Sequence, residues 1–143
     1  MGQTVMEKAE LEEFLKKEFP QFFFEGSGVS ICEIWPGGAQ VRQAYHERFL
    51  RPGGTMSGPS MMALADFAAY VAILAAVGPV ALAVTTNLNI NFLRKPKACG
   101  LVAEAHILKL GKRLAVLEIE VFSEGDDEPV AHATVTYSIP PRA

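Results

Sequence analysis

Apolar positions crowd one stretch of this chain more completely than any other. Gly58 to Val77 reads Gly-Pro-Ser-Met-Met-Ala-Leu-Ala-Asp-Phe-Ala-Ala-Tyr-Val-Ala-Ile-Leu-Ala-Ala-Val, with Asp66 its single charge. Ser57 ahead of it is a good N-cap. Pro59 is tolerated in a first helical turn because its missing N–H would be unpaired there, and Gly78-Pro79 is a stop. The pattern predicts a helix of about five turns, apolar on every face, and therefore a buried central helix. An ionised carboxylate in such surroundings is costly unless it is paired or used in chemistry. Asp66 is the residue to explain.

The flanking patterns are different. Thr4 and Glu7 have capping-box spacing, and Leu11, Phe14, Leu15 and Phe19 recur at helical intervals, predicting an amphipathic helix from Val5 to Phe19 that Pro20 ends. Gln21 to Ser27 is a Phe-rich loop. Gly28 to Trp35 and Gln40 to Phe49 read as a hairpin about Pro36-Gly-Gly38, the second strand alternating Val41, Tyr45 and Phe49 against Arg42, His46 and Arg48. After the central helix the period becomes two, with Asn87-Leu-Asn-Ile-Asn-Phe92 inside a strand from Val80 to Leu93. Gly100 to Leu110, Arg113 to Ser123 (Glu118 and Glu120 facing out) and Pro129 to Ile139 complete the set, joined by turns at Gly111-Lys112 and Glu124 to Glu128.

Strands that follow strands through short turns make a largely antiparallel sheet. The expected architecture is α+β, a curved sheet of five to six strands wrapped around one long helix with an N-terminal helix added. This is the hotdog arrangement, here one domain over residues 1–143. One covering helix leaves a sheet face and both edges open, so a homodimer or a dimer of dimers is expected.

Composition narrows the function. The 143 residues are half hydrophobic and a fifth charged, which is globular rather than disordered, and the net charge of -3 argues against nucleic-acid binding. Cys32 and Cys99 lack metal-ligand or CxxC spacing, and His46, His106 and His132 share no motif with them, so no metal is expected. Met1 to Lys8 lacks the apolar core of a secretory leader, and isolated cysteines suit reduced thiols; a cytoplasmic location is expected. A membrane span over Pro59 to Val84 is opposed by Asp66, the Gly78-Pro79 break and the absence of a Lys/Arg bias.

Thr55-Met-Ser-Gly-Pro-Ser-Met-Met-Ala-Leu-Ala-Asp66 resembles the segment of PaaI-like hotdog thioesterases in which His-Gly-Gly opens the central helix and an acidic residue follows on it. Asn89-Ile-Asn-Phe-Leu-Arg-Lys-Pro96 is similar to that family's third strand and basic exit. Leu108 to Arg113 resembles its hairpin turn, and Pro129 to Tyr137 its closing strand. The resemblance implies hydrolysis of an acyl-coenzyme A thioester, without cofactor or metal, in a site shared between two protomers. It assigns Asp66 as general base or nucleophile, the Gly58 backbone N–H as oxyanion donor, and Thr85 as the hydroxyl that positions water. Ser57 stands where the family usually has His, Arg51 near the place of its Asn, and Pro59 replaces the second Gly. These departures favour, as rival, a non-catalytic acyl-CoA-binding protein. A hydroxyacyl-thioester dehydratase ranks third, because no histidine lies on the central helix or its approach.

The residues themselves add two constraints. A helix N-terminus supplies backbone donors to an oxyanion, and Gly58 has no side chain to block its approach. Gly58 and Asp66 are eight residues apart, about 12 Å along a helix, so one thioester carbon cannot reach both on the same helix. Arg94, Lys95 and Lys97, grouped with Lys109, Lys112 and Arg113 and joined by Arg51 and Ser57 near the helix entrance, are candidates to hold the phosphates and body of coenzyme A. Met61 and Met62 are expected first to pack in the core, with a part in an acyl or aryl pocket as the second reading.

Overall fold

The computed structural model describes residues 2–141. Helix α2 spans Gly58–Val77, the bounds that its local signals predict. Ser57 Oγ accepts from the Ser60 N–H at 3.3 Å. Gly78 ends the helix at a φ of 103°, a region in which a side chain would be strained.

The main sheet has six strands: β1 Val29–Trp35, β2 Gly38–Gln43, β5 Val84–Phe92, β6 Leu101–Leu110, β7 Leu114–Ser123 and β8 Pro129–Ser138. They lie in the order β1-β2-β6-β7-β8-β5, every neighbouring pair antiparallel. A separate two-residue ladder, β3 Leu50–Arg51 with β4 Thr55–Met56, folds the approach to α2. One sheet face, carrying Ala103, Ala105, Leu117, Ile119, Ala133 and Val135, is buried against α2, while Glu118 and Glu120 point the other way as their alternation requires. Alanines are buried on both the sheet and the helix (Ala65, Ala68, Ala69, Ala72), beside the fully buried Leu64, Ile73 and Leu74. Each such large side chain contributes about 1.5–3 kcal/mol when taken out of water. This is the hotdog fold.

Several boundaries differ from expectation, for local reasons. Helix α1 is Lys8–Glu18, and its capping pair is Glu7 with Glu10 rather than Thr4 with Glu7. Val5 instead lies in a bend against the end of α2, its N–H bonded to Ala75 O at 2.6 Å. The strand expected from Gln40 to Phe49 stops at Gln43: the Ala44 N–H turns to Gly28 O, and His46 Nδ1 accepts from the Arg48 N–H at the start of a 3-10 turn, Glu47–Phe49. β5 begins at Val84 rather than Val80, because Tyr70 OH and the Ala83 N–H hold the chain in a turn through Ala81 O and Val80 O. α2 is not buried on every face. Pro59, Met62 and Ala63 are exposed and Asp66 is half-buried, a stripe at helical spacing on its first turns. The helix passes the length and hydropathy test for a membrane span, yet 72% of that window is buried inside this fold.

Candidate active site

Asp66 sits where α2 passes from its open turns to its enclosed ones. The Thr85 hydroxyl donates to Oδ1 at 2.5 Å, and the Tyr137 hydroxyl lies 3.2 Å from the same oxygen and 3.2 Å from Asp66 O. The convergence follows from the sheet, since Thr85 and Tyr137 are directly opposed on β5 and β8. It also needs an irregularity. Leu88 and Ile90 pack on the core side of β5, and a strict period of two from them would turn Thr86 inward and Thr85 outward. The register shift between Thr85 and Asn87 inserts one residue and re-aims Thr85 at the helix.

The carboxylate is therefore gripped on one side. Its Oδ2 has no hydrogen-bond partner among the described residues and is not sealed from solvent. Burial, and then the charge of Asp66, push the Tyr137 phenol far above its ordinary range, so it remains a neutral donor at physiological pH. Thr85 gives its only proton to Asp66, and its lone pairs stay able to accept from a water.

A cavity of about 360 Å³ opens beside Asp66, lined by Thr85, Tyr137, Phe67, Tyr70, Phe19 and Phe22, with Ala63, Ala81 and Ala83 leaving room and Glu18 at its edge. Met61 is buried in the core, as the packing reading expects, whereas Met62 lies on the surface; neither lines this cavity. Sequence reading missed Tyr137, Phe19 and Phe22. The signal for Phe22 was present, as an apolar residue in a loop where polar ones are usual; Phe19 read as one more position on the apolar face of the first helix.

Gly58 does not border this cavity. Its N–H has no acceptor among the described residues, and the Phe92 ring lies over it, 3.4 Å from where a Cβ would stand. Ser57 is occupied as the N-cap and also contacts Ser60 Oγ at 3.0 Å. Arg51 is exposed on β3, and Lys95 Nζ approaches Gly53 in the same loop. Neither has an ion-pair partner among the described residues, whereas Arg94 pairs with Glu128 at 2.6 Å and Lys97 with Asp126 at 3.2 Å. The basic residues do not form one cluster. Arg94 to Lys97 follow the end of β5 that pairs with the start of β8, while Lys109, Lys112 and Arg113 lie at the β6–β7 turn, at the opposite end of strands ten residues long. Among the described residues no three His, Cys, Asp or Glu side chains converge as a metal site would need.

The sequence profile of the thioesterase superfamily matches residues 53–130, more than half of the chain. The chain belongs to that superfamily. Among similar solved structures, a protein named "putative thioesterase" from a Silicibacter species shares 49% identity with this thioesterase-superfamily chain, with 96% of this chain and 94% of that one covered and a TM-score of 0.87. A point mutant of the phenylacetic acid degradation protein PaaI from Thermus thermophilus is 31% identical, over 81% of this chain and 96% of its own, with a TM-score of 0.70. A 1,4-dihydroxy-2-naphthoyl-CoA hydrolase of Listeria monocytogenes is 27% identical over 100 residues, covering 70% of this chain and 81% of its own. The profile match includes Gly58, Asp66 and Thr85 and excludes Phe19, Phe22 and Tyr137.

Proposed function

We propose that this member of the thioesterase superfamily hydrolyses aryl- or medium-chain acyl-CoA thioesters in the cytoplasm, with Asp66 as its general base or nucleophile. The observation that carries the reading is the asymmetry of that carboxylate: Oδ1 is fixed by Thr85 and Tyr137, while Oδ2 is free beside an aromatic cavity. A carboxylate so oriented can take a proton from a water that Thr85 also holds, or attack the carbonyl itself. The Gly58 N–H, unpaired at the start of α2, suits the oxyanion that forms. Arg51 and Lys95 suit the phosphates of coenzyme A, with Arg94 and Lys97 behind them, and Ser57 borders the entry. Hotdog thioesterases generally act as oligomers. Here the separation of Gly58 from Asp66 requires the N-terminus of a second copy's α2 to complete each site, in a homodimer or a dimer of dimers of single-domain protomers. The relative named as a naphthoyl-CoA hydrolase supports a coenzyme A ester as substrate.

The rival reading, an acyl-CoA-binding protein without turnover, is favoured by Ser57, whose Oγ is taken up in capping. Thiol release from a panel of acyl-CoA esters, wild type beside Asp66→Asn, decides between them. Turnover that falls at least about a hundredfold in an equally folded mutant is expected. Tight binding of the esters with no release of thiol would establish the rival. Label from solvent oxygen, followed through one turnover, enters Asp66 if it is the nucleophile and only the acid product if it activates water.

A further inference from the structure

The Phe-rich loop from Gln21 to Ser27 lies outside the profile match, and Phe22 is its one residue on the Asp66 cavity. Phe23 anchors the loop in the core, while Phe24 is 46% exposed and meets no other ring among the described residues. Phe22 is shared with a second cavity, of about 200 Å³. Its walls are the rings of Phe22, Phe24 and Phe49, and its polar groups include Gln43, Arg48 and Ser27.

Gln43 is 4% exposed. Its Nε2 donates to Ser27 O and to Ala44 O, each at 3.2 Å, which fixes the amide with its oxygen turned away from both. Oε1 has no partner among the described residues and is not sealed from solvent, so it opens on the cavity that Gln43 lines. Gly28 makes room for this amide: a Cβ there would stand 2.9 Å from Nε2, and its φ of 81° favours glycine. Arg48 is tied to the same carbonyl. Its Nη2 donates to Ser27 O at 3.1 Å, and the guanidinium lies 4.6 Å from the centre of the Phe49 ring. It has no ion-pair partner among the described residues, so the other N–H groups of its fork remain available. An acceptor and a donor are thus held side by side on Ser27 O, with aromatic rings about them. An acceptor left open on so deeply buried a side chain opposes folding until something donates to it.

We propose that this cavity is a small-molecule site for an aromatic primary amide, separate from the Asp66 site. The guest's ring lies among Phe22, Phe24 and Phe49, its amide N–H donates to Gln43 Oε1, and its carbonyl accepts from Arg48. The volume is below the range of about 300–1,000 Å³ that holds a drug-sized ligand, which limits the guest to about one ring. An aromatic carboxylate of the same shape has no proton for Gln43 Oε1 and sets acceptor against acceptor. Arg48 is exposed, so its charge offsets little of that. An aryl ketone satisfies Arg48 alone. None of this depends on thioester hydrolysis. Phe24, Gln43 and Arg48 line this cavity and not the one beside Asp66, so substitutions distinguish the two.

The test is calorimetric titration of the full chain with benzamide, acetophenone and benzoate. Benzamide is expected to bind roughly fivefold more tightly than acetophenone, the difference one hydrogen bond makes, and more tightly than benzoate. Arg48→Met and Phe24→Leu, both at exposed positions and checked for folding by melting temperature, should each weaken benzamide severalfold. Asp66→Asn should leave its affinity unchanged. Gln43→Met should erase the lead of the amide over the ketone; if the loss of its bond to Ser27 O prevents folding, Arg48→Met and Phe24→Leu decide. Equal affinity for benzamide and acetophenone overturns the proposal. So does benzamide binding that Asp66→Asn weakens and Phe24→Leu does not, which would seat the ring in the Asp66 cavity instead. No benzamide binding up to its solubility limit overturns it as well and makes the second cavity a water-filled recess.

Discussion

Within α2, the residues from Phe67 to Val77 are buried at every position but Ala76, whereas Pro59, Met62, Ala63 and Asp66 reach the surface beside β5. Both halves have the same apolar character, so composition does not make the difference. The order of strands does. β5 is an edge strand with nothing beyond it, while the main contacts of the helix are with the interior strands β6, β2 and β7. Asp66 stands at the border of the two halves, close enough to the core for Tyr137 to reach it and open enough for a substrate to do the same. On the proposed reading, one helix serves stability with one half and chemistry with the other.

The contrast is broken most directly by exchanging their phenotypes. Asp66→Asn should lower kcat by about two orders of magnitude or more and change the unfolding free energy little, because the amide keeps the shape of a half-buried side chain. Ile73→Ala, at a fully buried position, should cost about 2–5 kcal/mol of stability by leaving a cavity, with activity per folded molecule retained. Denaturant unfolding and active-site-normalised rates measure both. A stability loss in Asp66→Asn as large as that in Ile73→Ala would make Asp66 a core residue and dissolve the distinction.

Tyr137→Phe sharpens it. The variant removes one donor from Asp66 Oδ1 and leaves Thr85 in place. A single hydrogen bond of this kind is worth about 1 kcal/mol, so kcat should fall roughly fivefold with KM unchanged. A merely structural tyrosine would show only the loss of stability. The pH dependence supplies a second reading. Burial, ahead of the charge of Asp66, raises the Tyr137 phenol above its ordinary value of 10.0. The unfolded chain then loses this proton above about pH 10 while the folded chain keeps it. Stability should therefore fall as the pH rises past that point, and Tyr137→Phe should flatten the fall.

What the sequence made legible divides along the same line. The bounds of α2 were readable because Ser57, Pro59 and Gly78-Pro79 act within a few residues of where they stand. The hotdog arrangement followed from the order of elements, and the family from motifs at Thr55 to Asp66 and Asn89 to Pro96. Tyr137 was not legible as a partner of Asp66, because their meeting depends on the pairing of β5 with β8 across 71 residues of chain. The inward turn of Thr85 depends on a bulge that no run of alternating residues discloses. The grouping of Arg94 to Lys97 with Lys109 to Arg113 failed for a related reason: charge content is local, but which end of a strand it occupies is set by topology.

The smallest effects lie at the entry to α2, where two hydroxyls differ in use. Ser57 Oγ accepts from the Ser60 N–H, so Ser57→Ala should cost about 1 kcal/mol, or about 4 °C in melting temperature. Ser57→Gly should cost only about a few tenths of a kcal/mol, because glycine is a tolerable cap. Thr55 Oγ1, two residues earlier, is buried and has no hydrogen-bond partner among the described residues. A buried hydroxyl left unpaired opposes folding, so Thr55→Val, of nearly the same shape, should be neutral or stabilising by up to about 1 kcal/mol. The two substitutions remove the same group from the same turn and should move the melting temperature in opposite directions. A loss of stability in both would mean that Thr55 has a partner in the assembled protein, and the open half of α2 would then include the threonine that precedes its cap.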